Sequence, residues 1–381
     1  MVKTFAEQAR EKAAQDAARD AKLGQHLKNI HREREDRPVH IMKKVIEYNS
    51  EQFAQLTKNQ PTCELMDMNG NKHQEKDPSG PHDPCYGKCR IGFFTPFDFA
   101  SWRATEPHHN GLSSIMYSFP KLLDANINMY MLPRPFHPRY EPPEHLLNVF
   151  KQWENSSIRK RFLDTLSSKW TEEYPAGNIN KIICFGLGEL YTEVNEEGPA
   201  WLLDESPGLD KYLTVLAFEI ASFLEHKLGT KIPMIFDDWS YDQQDKSRIE
   251  SFATQLNTPI SFLSNCEALL QVDKNTLVLA PSRARYNIRE LIVDITRDEG
   301  GPAGFLCETI VPITSTKHEV AWSKGEKDPP TKLLASMAKD YKMDKVCGID
   351  RWGVELYLKR HAIKDPPPEG WGSWTLAKCF K

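Results

Sequence analysis

The stretch that decides the fold is KIICFGLGEL, Lys181 to Leu190. Four consecutive apolar side chains, Ile182, Ile183, Cys184 and Phe185, stop at two glycines, Gly186 and Gly188, one residue apart. Successive side chains of a strand point to opposite faces, so an unbroken apolar run predicts a strand buried on both sides, as in a parallel sheet. The turn after it has two readings. Its glycines can let backbone amides approach a phosphate with no Cβ in the way, or they can simply bend a buried strand towards a helix.

Downstream, LDKYLTVLAFEIASFLEHKLG (residues 209–229) repeats Leu213, Leu216, Ala217, Ile220, Phe223 and Leu224 at helical spacing. IPMIFDD (232–238) is a second strand, and QDKSRIESFATQLN (244–257) is a helix with Ile249, Phe252, Ala253 and Leu256 on one face. PISFLS (259–264) and NTLVLAP (275–281) are further strands, RYNIRELIVDIT (285–296) a third helix, and AGFLCETIV (303–311) a fifth strand. Apolar strands alternating with amphipathic helices predict an α/β fold over residues 178–312: a Rossmann-like, doubly wound, mostly parallel sheet with helices on both faces.

Four other segments surround that domain. Residues 1–57 are rich in Ala, Glu, Lys, Arg and Gln, with a thin apolar stripe of Leu23, Leu27 and Ile30, then Ile41, Val45 and Ile46. This predicts a solvated helical or partly disordered extension, dispensable for folding; a coiled-coil or partner-docking helix is the alternative. Residues 58–90 read as a linker dense in turn-forming residues. Residues 91–177 read as a subdomain packed on the core; its MLPRPFHPRYEPPEHL (131–146) predicts an extended surface connector, since each proline removes a donor and fixes φ. Residues 313–381 form a C-terminal extension with a helix in PTKLLASMAKDYK (330–342) and a tail whose Trp371 and Trp374 are expected to pack back on the domain.

The chain has 381 residues and a formal charge of -4, which gives no global basic field to attract nucleic acid. No apolar run approaches the roughly 20 residues that span a bilayer. The first residues carry no signal-peptide core, and Glu7, Glu11, Asp16 and Asp20 disfavour a transit peptide. The expectation is an intracellular protein, cytoplasmic with a nuclear location also open. Its eight cysteines are then expected to be thiols rather than disulfides.

The chemistry-bearing residues lie at the ends of the expected strands. Gly186-Leu187-Gly188 has the G-x-G of a nucleotide turn, but Tyr191 stands where the third glycine of G-x-G-x-x-G belongs. Glu189, Glu193, Glu196 and Glu197 follow in a loop that would repel pyrophosphate. Asp237 and Asp238 end the second strand, where an acid accepts hydrogen bonds from ribose hydroxyls or caps the next helix. Pro281, Ser282 and Arg283 follow the fourth strand, with Arg285 beyond them; the arginines either hold an anionic ligand or form surface ion pairs. His82, Cys85 and Cys89 in HDPCYGKC lack the second pair of a zinc knuckle, and His108 and His109 have no partner motif, so no metal is expected.

The order and spacing of KIICFGLGEL, LTVLAFEIASFLE, MIFDDWSYDQQDK and NTLVLAPSRARYNIRELI resemble the SRR1-like domain, named for "sensitivity to red light reduced" and widespread in fungi. The resemblance covers residues 178–312. The family's G-L-G turn is kept at Gly186, Leu187 and Gly188; its Tyr-Asp-Pro reads Phe236-Asp237-Asp238 here, and its Pro-His-Cys reads Pro281-Ser282-Arg283. The histidine and cysteine are thus replaced. The resemblance implies a regulatory protein, associated in plants with light and clock signalling and in other relatives with haem metabolism, and no established reaction or cofactor. Two functions remain open on this reading. One is a Rossmann-like domain that binds a small nucleotide-type ligand or a protein partner. The other is a methyltransferase-like or nucleotide-dependent enzyme using the Gly186–Gly188 turn and Asp237.

Overall fold

Strand β5, Lys181–Phe185, lies inside a seven-stranded sheet and divides two hydrophobic cores. Ile182 and Cys184 join one core, and Ile183 and Phe185 the other, as the two-residue period of a strand requires. The computed structural model describes residues 4–35, 39–55, 62–66, 72–76, 90–94, 128–132, 145–169, 179–188, 190, 209–238, 241–263, 267–281, 288–315, 317–318, 320, 330–345 and 354–359.

The elements in chain order are α1 (Phe5–Glu35), α2 (Val39–Ala54), β1 (Thr62–Met66), β2 (Lys72–Lys76), β3 (Arg90–Phe94), β4 (Asn128–Leu132), α3 (His145–Glu154), α4 (Ser157–Lys169), β5, α5 (Leu209–Leu228), β6 (Met234–Asp237), α6 (Gln243–Leu256), β7 (Ile260–Phe262), α7 (Glu267–Leu270), β8 (Thr276–Ala280), α8 (Ile288–Thr296), β9 (Gly304–Glu308), α9 (Lys332–Met337), β10 (Tyr341–Lys345) and β11 (Val354–Lys359). The large sheet runs β10-β11-β9-β8-β5-β6-β7. Its pairs β5/β6, β5/β8, β6/β7 and β8/β9 are parallel, and β9/β11 and β10/β11 are antiparallel. The fold is therefore mixed α/β with a mostly parallel sheet.

Helices α3, α4, α5 and α6 cover one face, where Trp153, Phe162, Leu216, Phe218, Ile249 and Phe252 pack on Ile182, Cys184 and Phe236. Phe218 meets Phe252 edge-on, with ring centroids 4.9 Å apart. The opposite face is covered by α2, α7, α8 and α9 through Val45, Ile46, Leu269, Leu291, Ile292, Ile295 and Leu334. Local signals place several ends. Asp242 and Asp245 form a reciprocal capping box at the start of α6, and Asn257 closes that helix in the left-handed region at φ 53°.

Three features depart from the sequence expectations. Helix α2 is not a solvated appendage: Val45 and Ile46 are buried in the second core. Within the expected linker, β1 and β2 pair as an antiparallel hairpin, and Cys63 and Leu65 join the same core. The Asn49 amide of α2 fastens this hairpin by donating to the Met66 carbonyl at 2.9 Å and accepting from the Met66 N–H at 2.6 Å. Finally, the segment after Pro312 supplies β10 and β11, and the helix expected over 330–342 ends at Met337, passes through a 3-10 turn and becomes β10 at Tyr341. No described helix is long and apolar enough to cross a membrane.

Candidate functional site

The register of β5 against β6 pairs Phe185 with Asp237 and so brings the glycine turn beside the two acids. One more ladder bond follows the last strand pair, from the Gly186 N–H to the Asp237 carbonyl at 3.1 Å. Gly186 and Gly188 adopt φ of 59° and 89°, the left-handed region that a side chain strains to occupy, which explains why both positions are glycine. This bend aims the Gly188 N–H at the Asp238 carboxylate, which accepts it at 2.7 Å. Asp237 and Asp238 are both buried.

This edge is also where the sheet reverses its winding. From β5 the chain passes through α5 to β6 and through α6 to β7 on one side, then returns through α7 to β8 on the other side of β5. The carboxyl ends of β5 and β8 thus flank a topological switch point, the place where open α/β sheets bind ligands. Pro281, directly after β8, is buried at that edge. The structure brings Gly186, Leu187, Gly188, Asp237 and Asp238 together at neighbouring strand ends, with Pro281 one strand over. Ser282, Arg283 and Arg285 lie outside the described residues, as do Glu189, Tyr191, His82, Cys85, Cys89, His108 and His109.

The sequence reading missed two residues here. Tyr241 is buried three residues after Asp238, and its N–H donates to the Asp238 carbonyl at 3.4 Å. Burial pushes its phenol well above the usual range, and the Asp238 charge adds to that rise, so the hydroxyl stays protonated. The second is Arg289 of α8, fully buried, whose Nη1 donates to the Glu308 carbonyl at the carboxyl end of β9 at 3.1 Å. The expected cations were Arg283 and Arg285; the signal for Arg289 was its place in the first turn of an apolar helix directly after that motif.

Below the turn, the Cys184 thiol is raised far above its ordinary value by complete burial and is no nucleophile. Among the described residues, the groups at this edge are hydrogen-bond donors and acceptors: the Gly186 and Gly188 amides and the Asp237 and Asp238 side chains. No group of three or more His, Cys, Asp or Glu among them is arranged to hold a metal ion. A separate polar cavity of about 250 Å³ lies between α2 and the β1–β2 hairpin, lined by Gln52, Gln55, Thr62, Cys63, Glu64 and Gln74. Its Glu64 carboxylate is already engaged by Lys72 at 2.9 Å and by the Tyr48 hydroxyl. The switch point is the better candidate, because open α/β sheets take their ligands where the connections diverge at the strand ends. No protein-family model matches the chain, and a search of curated proteins finds no match.

Proposed function

We propose that the chain is a regulatory protein of the SRR1-like kind, acting inside the cell, whose Rossmann-like domain binds a small nucleotide-type ligand at the carboxyl ends of β5, β6 and β8. The observation that carries this reading is the juxtaposition at the switch point: a positive-φ glycine turn after β5 beside two buried acids after β6. Asp237 follows the first crossover helix, the place from which an acid reaches ribose hydroxyls in nucleotide-binding sheets. Calorimetric titration with adenosine, NAD and S-adenosylmethionine tests it. Binding of at least one, weakened by Asp237→Asn, supports the reading. No heat from any of them removes the small-ligand reading and leaves the edge as architecture.

One observation favours the enzyme reading. Counting β5 as first, the strand order is 3-2-1-4-5-7-6 and the seventh strand is reversed. Its parallel part, 3-2-1-4-5, follows the order of nucleotide-binding doubly wound sheets, a likeness at the level of fold alone. On this reading S-adenosylmethionine binds more tightly than NAD, and methyl transfer to an acceptor is detectable with a labelled methyl group.

A further inference from the structure

We propose that Asp238 sets the ligand class of the crevice: its carboxylate stands in for an anion on the Gly188 amide, so the site takes a phosphate-free nucleoside, neutral or cationic, and refuses nucleoside phosphates. This rests on the reading of the switch point as a ligand site.

A glycine turn holds a phosphate by leaving backbone N–H groups open towards it. Here both glycine amides are committed within the protein. The Gly186 N–H continues the sheet ladder to the Asp237 carbonyl at 3.1 Å, and the Gly188 N–H is held by Asp238 Oδ2 at 2.7 Å. A phosphate seeking the Gly188 amide must displace a charge-assisted hydrogen bond and then lie beside the displaced carboxylate, two costs that add. Asp237 is a second buried acid at the same strand end. The sequence that follows the turn carries Glu189, Glu193, Glu196 and Glu197, all of the same sign. A ribose has the opposite requirement: its hydroxyls donate, and carboxylates accept. A positively charged ligand, such as a sulfonium nucleoside, gains further from the acids.

The test uses the full chain, as wild type, Asp238→Asn and Asp238→Ala, titrated calorimetrically with adenosine, ADP and inorganic pyrophosphate. Wild type is expected to bind adenosine at least about tenfold more tightly than ADP and to give no heat with pyrophosphate. Asp238→Ala is expected to tighten ADP by about tenfold and to gain pyrophosphate binding, the equivalent of about 1.4 kcal/mol. Asp238→Asn, which keeps the acceptor and loses the charge, should gain part of this; being isosteric, it also carries the test if the alanine variant does not fold. Equal affinity of wild type for adenosine and ADP overturns the proposal, as does an unchanged response to ADP and pyrophosphate in both variants. If wild type binds no adenosine, the crevice reading fails by itself. The pyrophosphate titrations still decide whether Asp238 guards the amide, since a gain in the variants upholds that role and no gain ends it.

Discussion

Arg159 of α4 grips Glu219 of α5 through two hydrogen bonds, Nε to Oε2 at 2.6 Å and Nη2 to Oε1 at 3.1 Å. The pair fastens the helix that follows the glycine turn to the layer that covers the first core. Glu219 is buried, so removing the guanidinium leaves a carboxylate with little water to replace it. Arg159→Ala is expected to cost about 2–4 kcal/mol. Joint replacement by Met at both positions should recover most of that loss, because apolar side chains of similar volume fill the space without desolvating a charge. A urea-denaturation double-mutant cycle checks this; equal losses in the single and double variants would contradict it.

Helix α2 should behave as part of the core. Val45 and Ile46 are both buried against the second face of the sheet, and the Asn49 amide holds the β1–β2 hairpin beside them. Ile46→Ala is expected to lose about 2–4 kcal/mol, by analogy with other large-to-small core changes. Deleting residues 1–57 should bare the apolar side chains of α8 and give a protein that aggregates on expression. A soluble deletion variant with an unchanged melting temperature would return the segment to the status of an appendage.

The parts of the fold that can be read in the sequence are those whose burial writes an unambiguous pattern. β5, β6, β8 and β9 are buried on both faces and appear as apolar runs, and α5 and α6 carry apolar residues at helical spacing. β10 reads Tyr-Lys-Met-Asp-Lys and lies at the sheet edge, where polar residues are tolerated and the strand pattern vanishes. β11 hides an acid in its buried run because the Tyr357 hydroxyl donates to Glu355 at 2.9 Å and accepts from the Ile310 N–H at 2.7 Å, a compensation invisible before folding. At the site, the glycines and acids were each legible as candidates. Their bond was not: Gly188 and Asp238 stand 50 positions apart, and only the pairing of Phe185 with Asp237 brings them together.

The buried thiols give a chemical test of the packing. Cys63, Cys184 and Cys307 are buried thiols outside any disulfide, and burial raises the Cys184 thiol so far that almost no thiolate exists near neutral pH. Since the thiolate is the nucleophile, alkylation of these three in the folded protein should follow the rate of structural opening rather than the rate of a free thiol. Iodoacetamide labelling with peptide mapping, before and after denaturation, reads this out. Rapid native labelling of Cys184 would be incompatible with the interior position of β5.

Asp273 is expected to contribute to the acid limb of stability. Burial by itself pushes its carboxyl up, but hydrogen bonds from the Lys181 ammonium, the Asn275 N–H and the Thr276 hydroxyl together outweigh that and hold it below the ordinary range. A group whose folded value lies below its unfolded value of about 3.9 stabilises fully above that pH. The contribution is lost as pH falls through the lowered folded value. Asp273→Asn should therefore reduce the melting temperature at pH 6 and narrow its gap to wild type below about pH 4. A constant gap across that range would show that Asp273 acts through packing or neutral hydrogen bonds alone.

The glycine turn allows architecture and ligand binding to be separated at a single residue. Gly188 adopts φ 89°, so a β-branched side chain there is strained whatever the surrounding space, by about 1–3 kcal/mol. Gly188→Val should therefore lower the melting temperature in every case, and that result alone says nothing about a ligand. Binding distinguishes the readings when measured below the melting transition of the variant. If the crevice takes a nucleoside, Gly188→Val abolishes the titration heat because a branched side chain stands on the turn where the ligand must approach, while Asp237→Asn weakens it more mildly by keeping an acceptor without the charge. Arg283→Ala, in the segment after β8, should lower affinity and flatten its salt dependence if that cation faces an anionic part of the ligand. It should do neither if the ligand carries no negative charge, as we propose from the engagement of Gly188 by Asp238. A folded Gly188→Val protein that binds nucleoside as wild type does would place the ligand elsewhere and leave the two glycines a purely conformational role.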